Sequence, residues 1–340
     1  MDNAYYKPSG RLSLAFFLFY ALLMAAGIPI LSVAYIYSIH YVPFIYLNFI
    51  ITIFCGAALG YLVSLAAKLG KARNLPVVII FVIIGMGIMK YVQWGVYVPL
   101  VLAEVYEVYH MPFIDRFTEA FALIRDPGLL IDYAEIINEI GVWGISPNAG
   151  EEAADTVNGT LLTTIWAAEF LLMTGMAIFA VHKQPKYPFS EEFGGWYVRF
   201  ENKVEMDVPD QIEILIDDME KGKFADFVQL AKTAKSKDDN YLRLTFYHPP
   251  QPSYKEPYYV SIEQCGDQKK AKRFISKGYL TVDAKSVYEM TAPQTYADTP
   301  DNKPASEHAE EQQVAEQLLS NQKHGGDIAA DNETSDQNQL

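Results

Sequence analysis

Four long apolar runs constrain this chain more than any other feature. They extend from about Leu12 to Ile36, Pro43 to Ala67, Leu75 to Leu102 and Gly159 to Val181. A helix that crosses a bilayer core needs roughly 20 mostly apolar residues, and each run meets that length. Pro29 marks a possible kink in the first. Asn74 is a plausible cap for the third, with Pro76 in the first turn, where proline is tolerated. Lys7 and Arg11 precede the first run, which gives it the look of a signal peptide. Its apolar stretch is too long for one, and no small-residue cleavage site closes it cleanly, so it reads as an uncleaved anchor.

The 51% apolar content is an average over two unlike halves. Apolar blocks dominate before about residue 183 and charge dominates after it. The expected architecture is an α-helical membrane bundle of four transmembrane helices over residues 1–183, then a small soluble α+β domain over 190–290. A disordered acidic tail follows over 291–340. The net charge of -14 argues against a nucleic-acid partner, which would require a basic face. Cys55 and Cys265 are far apart, with no His or second Cys nearby, so both read as buried thiols rather than metal or redox groups.

Lys and Arg near the ends of the runs set the direction. Lys7 and Arg11 precede run one, Lys68, Lys71 and Arg73 join runs two and three, and Lys183 and Lys186 follow run four. If all four runs cross, these regions share a side, and the positive-inside rule makes it the cytoplasm. The link from Tyr37 to Val42 has no Lys or Arg. The loop 103–158 has many acids and only Arg116 and Arg125. Both termini are therefore expected to be cytoplasmic, in a cell (inner or plasma) membrane. Tyr35, Tyr37, Tyr41 and Tyr46, and then Tyr91, Trp94 and Tyr97, fit an aromatic belt at the opposite interface.

The loop 103–158 is too long for a plain connection. Phe113, Phe117, Phe121 and Ile124 recur at helical spacing, as do Leu130, Tyr133, Ile137 and Ile140, with Asp126-Pro127-Gly128 as the turn between them. Two helices are expected, each packing that apolar face on the spans.

Lys90 interrupts the third run and Glu169 the fourth. Each lies about 10 residues, or roughly 15 Å, from the same end of the bundle. Opposite charges at matching depth suggest an intramembrane pair. Gly87, Gln93 and Trp94 are read on the face of Lys90, and Asn48 is a further polar candidate on the second run. Three readings compete: a lysine that reaches the headgroups along its own stem, an ion pair that fixes helix register, and a pair that moves an ion or solute. Gly56 and Gly60 have the spacing that lets helices approach closely, within the bundle or in a dimer.

After about Glu191 the pattern changes. Trp196, Val198 and Phe200 alternate as on a strand, and PDQIEILIDDMEKG from Pro209 to Gly222 reads as a helix. Phe224, Phe227, Val228 and Ala231 suggest a second helix. Leu242, Leu244 and Phe246, then Tyr258, Val260 and Ile262, alternate as strands. One or two more strands are expected near Phe274 and Leu280. No phosphate loop, dinucleotide fingerprint or catalytic constellation is present, so no cofactor, metal or enzymatic activity is expected. Lys269, Lys270, Lys272 and Arg273 read as a basic strand edge that blunts pairing or touches lipid headgroups.

These readings combine into a multi-pass membrane protein acting as an anchor or adaptor that displays a cytosolic interaction domain. Its expected partners are the lipid bilayer and a cytosolic protein or a second copy of the chain. The rival is a small ion or solute transporter built on Lys90 and Glu169.

Overall fold

A computed structural model describes residues 4–42, 45–105, 113–141, 144–145, 155–200, 204–209, 211–233, 241–251, 256–265, 272–274 and 276–291. The tail expected beyond residue 291 lies outside the described residues. The chain divides into two compact units, Lys7–Tyr197, and Val198–Leu340 joined by Met1–Tyr6.

The first unit is helical. In chain order it holds α1 (Leu14–Tyr41), α2 (Ile45–Leu69), α3 (Leu75–Val105), α4 (Phe113–Arg125) and α5 (Pro127–Ile140), the short pair β1 (Gly144–Ile145) and β2 (Asp155–Thr156), and α6 (Gly159–Val181). The segments Leu14–Tyr41, Tyr46–Leu69, Leu75–Ala103 and Gly159–Lys186 are long and apolar enough to cross a membrane. α1 continues past Ile36 to Tyr41, so most of the expected Tyr37–Val42 turn is helix. Nothing before Pro43 breaks the pattern, and Ser38 folds its hydroxyl back onto Ala34 O at 2.6 Å. Helix α1 also runs through Pro29 without interruption. Asn74 Oδ1 caps α3 by accepting from Val77 N at 3.2 Å.

These helices are apolar on every face. On α1, Phe16, Tyr20, Met24, Ile28, Ser32 and Tyr35 are buried. On the outside Leu18, Leu22 and Ile30 are exposed, as are Phe54, Ile84, Leu171 and Phe179 on the other three helices. A helix in water keeps a polar outer face; a helix with apolar residues all round does not suit water. Helices α2 and α6 approach each other closely. A Cβ on Gly56 would lie 2.8 Å from Met173 Cα, and one on Gly60 2.7 Å from Ala177 Cα. Both glycines are therefore used inside the bundle, where only a missing side chain admits the neighbouring backbone.

Helices α4 and α5 form where the spacing predicts, and Asp126 caps α5 by accepting from Leu129 N at 3.1 Å. The packed face of α4 differs from expectation. Phe117 and Phe121 are exposed, while Ala120 and Leu123 are buried. Small residues explain the choice: Gly95 of α3 lets Ala120 and Ile124 come close. Tyr91, Trp94 and Tyr97, expected as a belt, pack partly against Leu123, Leu130 and Ile137.

The segments rich in Lys and Arg converge at one end of the bundle. Arg73 N donates to Arg11 O at 3.0 Å, and Asn74 Nδ2 to Gly10 O at 3.0 Å. Following α6, β3 (Phe189–Ser190) pairs with β4 (Gly195–Trp196). Arg73 Nη1 meets Glu191 Oε1 at 3.1 Å, and its guanidinium stacks 4.1 Å above the Phe189 ring. Trp196 Nε1 donates to Lys68 O at 2.8 Å.

The second unit holds β5 (Val198–Arg199), β6 (Val204–Asp207), α7 (Ile212–Glu220), α8 (Ala225–Thr233), β7 (Tyr241–His248), β8 (Tyr258–Cys265), β9 (Lys272–Phe274), β10 (Leu280–Val282) and α9 (Ala284–Thr291). The antiparallel sheet has the order β10-β8-β7-β5, with β6 also on β7 and β9 on β8. Leu244 faces Ile262 and Phe246 faces Val260 across the central pair. Their side chains form a core with Met219, Phe227, Val287 and Met290 from the helices. Trp196, Val198 and Phe200 do not share a strand. Trp196 belongs to the β3–β4 hairpin, while Val198 pairs with His248 in the sheet, so the alternation straddles the boundary between units.

Candidate functional site

Lys90 is the middle residue of α3, and Glu169 lies near the middle of α6. Lys90 Nζ sits 2.5 Å from Glu169 Oε1, with the two side chains 18% and 19% exposed. A charge removed from water without a partner is expensive, and opposite charges in contact offset much of that cost. Depth matching in the sequence named both residues. Gln93 and Asn48 were read as polar neighbours; Tyr35 and Cys55 were not.

Those groups come from the other two long helices. Tyr35 of α1 lies close enough for the Glu169 carboxylate to act on its hydroxyl. The same hydroxyl is 3.2 Å from Thr52 Oγ1 of α2. Thr52 in turn donates to Asn48 O at 2.8 Å. Cys55 lies one turn further along α2, with Gln93 Nε2 4.0 Å from its sulfur. Tyr35, read from the sequence as part of an aromatic belt, is buried in this cluster. The extra turns of α1 beyond Ile36 place it deeper than a helix ending there would. The spacing Asn48, Thr52, Cys55 was the signal on α2, since these positions share one helical face.

The expected polar face of α3 holds only in part. Gln93 is buried at 1% exposed. Gly87 is exposed, and a Cβ there would meet nothing within 4 Å. At 100° per residue, Gly87 and Gln93 are about 120° apart around the helix, so both cannot face inward. Trp94 stacks edge-on against Trp166 of α6 at 4.7 Å, one turn beyond the ion pair.

The basic cluster of the sheet unit is only partly described. Lys272 and Arg273 lie on β9, paired with Cys265 and Gln264 of β8, and Lys269 and Lys270 lie outside the described residues. Among the described residues, no group of His, Cys, Asp and Glu is placed to hold a metal ion.

One feature has no trace in the sequence pattern. Residues 4–6 form an extra edge on the sheet beside β10. Tyr6 N donates to Tyr279 O and Thr281 N to Ala4 O, both at 2.8 Å. Tyr5 OH donates to Glu220 Oε1 at 2.6 Å, and the Tyr6 ring meets Tyr259 edge-on at 5.3 Å. The chain thus leaves the sheet unit after Tyr6 and returns to it at Val198.

Burial first, and the Glu220 carboxylate second, push the Tyr5 phenol from 10.0 up to about 12. The folded state therefore favours the neutral phenol. Its contribution to stability is complete below pH 10 and is lost as pH rises from about 10 to about 12. Tyr5→Phe is expected to lower the melting temperature at neutral pH. The gap between variant and parent should then narrow through that window. A gap unchanged across the window would remove Tyr5 from the account.

Compared with known protein families, with curated proteins and with solved structures, this chain matches none.

Proposed function

We propose that this chain is a four-span integral membrane protein of the plasma or inner membrane, with both termini in the cytoplasm. It acts as an anchor that holds the α+β unit at the cytosolic surface for a protein partner. The observation that carries this reading is the return of the chain to one sheet. Residues 4–6 and residues 198–291 fold together, and four apolar helices lie between them. If those helices cross a bilayer, an even number of crossings is the only count that keeps both segments on one side. The charge distribution supports the direction, since Arg11, Lys68 and Arg73 gather at one end of the bundle.

The anchor reading is favoured over a carrier by the state of the ion pair. Lys90 and Glu169 are closed on each other at 2.5 Å, which ties α3 to α6. The sheet unit has its own core, which suits recognition of another protein. That partner is a cytosolic protein or a second copy of this chain.

The test is to purify the intact protein from its native membrane after brief crosslinking and to identify what is joined to residues 198–291. Reproducible crosslinks to a specific protein, or to a second copy, are expected. Recovery of the uncrosslinked chain alone across repeated preparations would count against an anchoring role.

A further inference from the structure

Two polar atoms near the ion pair are unanswered. Among the described residues, Gln93 Oε1 and Asn48 Oδ1 are buried without a hydrogen-bond partner. A buried carbonyl left without a donor is costly, and native interiors rarely keep one. Both belong to a connected series. On α2, Asn48, Thr52 and Cys55 follow one face at about 4, 10 and 15 Å from the start of the helix. Thr52 reaches Tyr35, and Cys55 faces Gln93, which lies about one helical turn from Lys90. Polar groups therefore step down the interior from the Asn48 end to the pair.

The series stops there. Towards the other end the interior is filled by Met24, Val63, Val82 and Met86, all buried, and the Tyr20 hydroxyl is spent on Phe81 O at 2.9 Å.

The charges select what fits. Lys90 already neutralises Glu169, so a cation would meet an ammonium with no net negative charge to hold it. An anion would meet Glu169 and two carbonyl oxygens. The unanswered groups are acceptors, and they suit a neutral molecule that donates hydrogen bonds. We propose that this series is a one-sided polar vestibule, entered at the Asn48 end, which holds water and small neutral hydrogen-bond donors above the Lys90–Glu169 pair. The proposal rests on the four-span reading, because a vestibule has meaning only where lipid surrounds the bundle.

Thiol reactivity tests it in native membranes. The thiolate attacks the sulfenyl sulfur of a methanethiosulfonate and displaces methanesulfinate, and it forms where water can accept the thiol proton. The probe is methyl methanethiosulfonate, with peptide mass spectrometry to separate Cys55 from Cys265 in the unaltered protein. Thr52→Cys adds a second position on the polar face, and Phe54→Cys adds one at the same depth on the outside, where Phe54 is 69% exposed. Cys55 and Thr52→Cys are expected to react on the order of tenfold faster than Phe54→Cys, and Asn48→Leu is expected to slow Cys55. Slow reaction at all three positions would overturn the vestibule while leaving the spans intact. Fast reaction at all three, Phe54→Cys included, would overturn the four-span reading itself. Cys55 needs no substitution, so its slow or fast reaction is read in the unaltered protein even if a variant misfolds.

Discussion

Glu169→Leu with Lys90 retained is expected to destabilise the bundle by about 3–5 kcal/mol, because it leaves a lysine charge buried without its partner. The double variant Lys90→Leu, Glu169→Leu is expected to recover most of that loss. Replacing both members of a buried pair by apolar side chains is often neutral or better. The two single changes are therefore strongly non-additive, as expected for residues in direct contact at 2.5 Å. Melting temperatures of the four proteins in one detergent give the cycle. If Lys90 instead reached the headgroups along its own stem, Glu169→Leu would be almost silent and the two changes would add. The swap Lys90→Glu, Glu169→Lys sharpens the test. It restores opposite charges but exchanges the long stem for the short one on α3 and the short for the long on α6, so partial recovery is expected.

How much of this was legible in the sequence depends on the range of the interaction. The four long helices were legible because an apolar run is a local signal. Their ends were less so: α1 reaches Tyr41 because the turn residues expected after Ile36 contain no breaker before Pro43. That shift carries Tyr35 from the surface belt into the site. Lys90 and Glu169 were legible as a pair because depth can be counted along a helix. The facing of Gly87 was misread, since three residues are not quite one turn and the error doubles over two steps. Phe117 and Phe121 were misassigned to the packed face of α4 for a different reason. Size suggested that the large apolar residues pack, but close approach at Gly95 favours the small Ala120. The edge strand at residues 4–6 could not be read at all. Its partners are Tyr279 and Thr281, and no local period links segments so far apart in the chain.

That edge strand gives the membrane reading its strongest constraint. If the apolar helices between residues 4–6 and the sheet at Val198 cross a bilayer, the number of crossings is even. With all four helices crossing, as proposed, the turn at Lys71 would lie on the same side as residues 4–6, and helices α4 and α5 on the opposite side. The contrast is all-or-none, since a charged thiol reagent does not pass a sealed bilayer. The measurement is labelling of single-cysteine proteins in intact cells and in permeabilised cells, with Lys71→Cys in the α2–α3 turn and Glu139→Cys on α5. Glu139→Cys is expected to react in intact cells, and Lys71→Cys only once the membrane is opened. Equal labelling of both positions in intact cells, or the reverse pattern, would contradict the account.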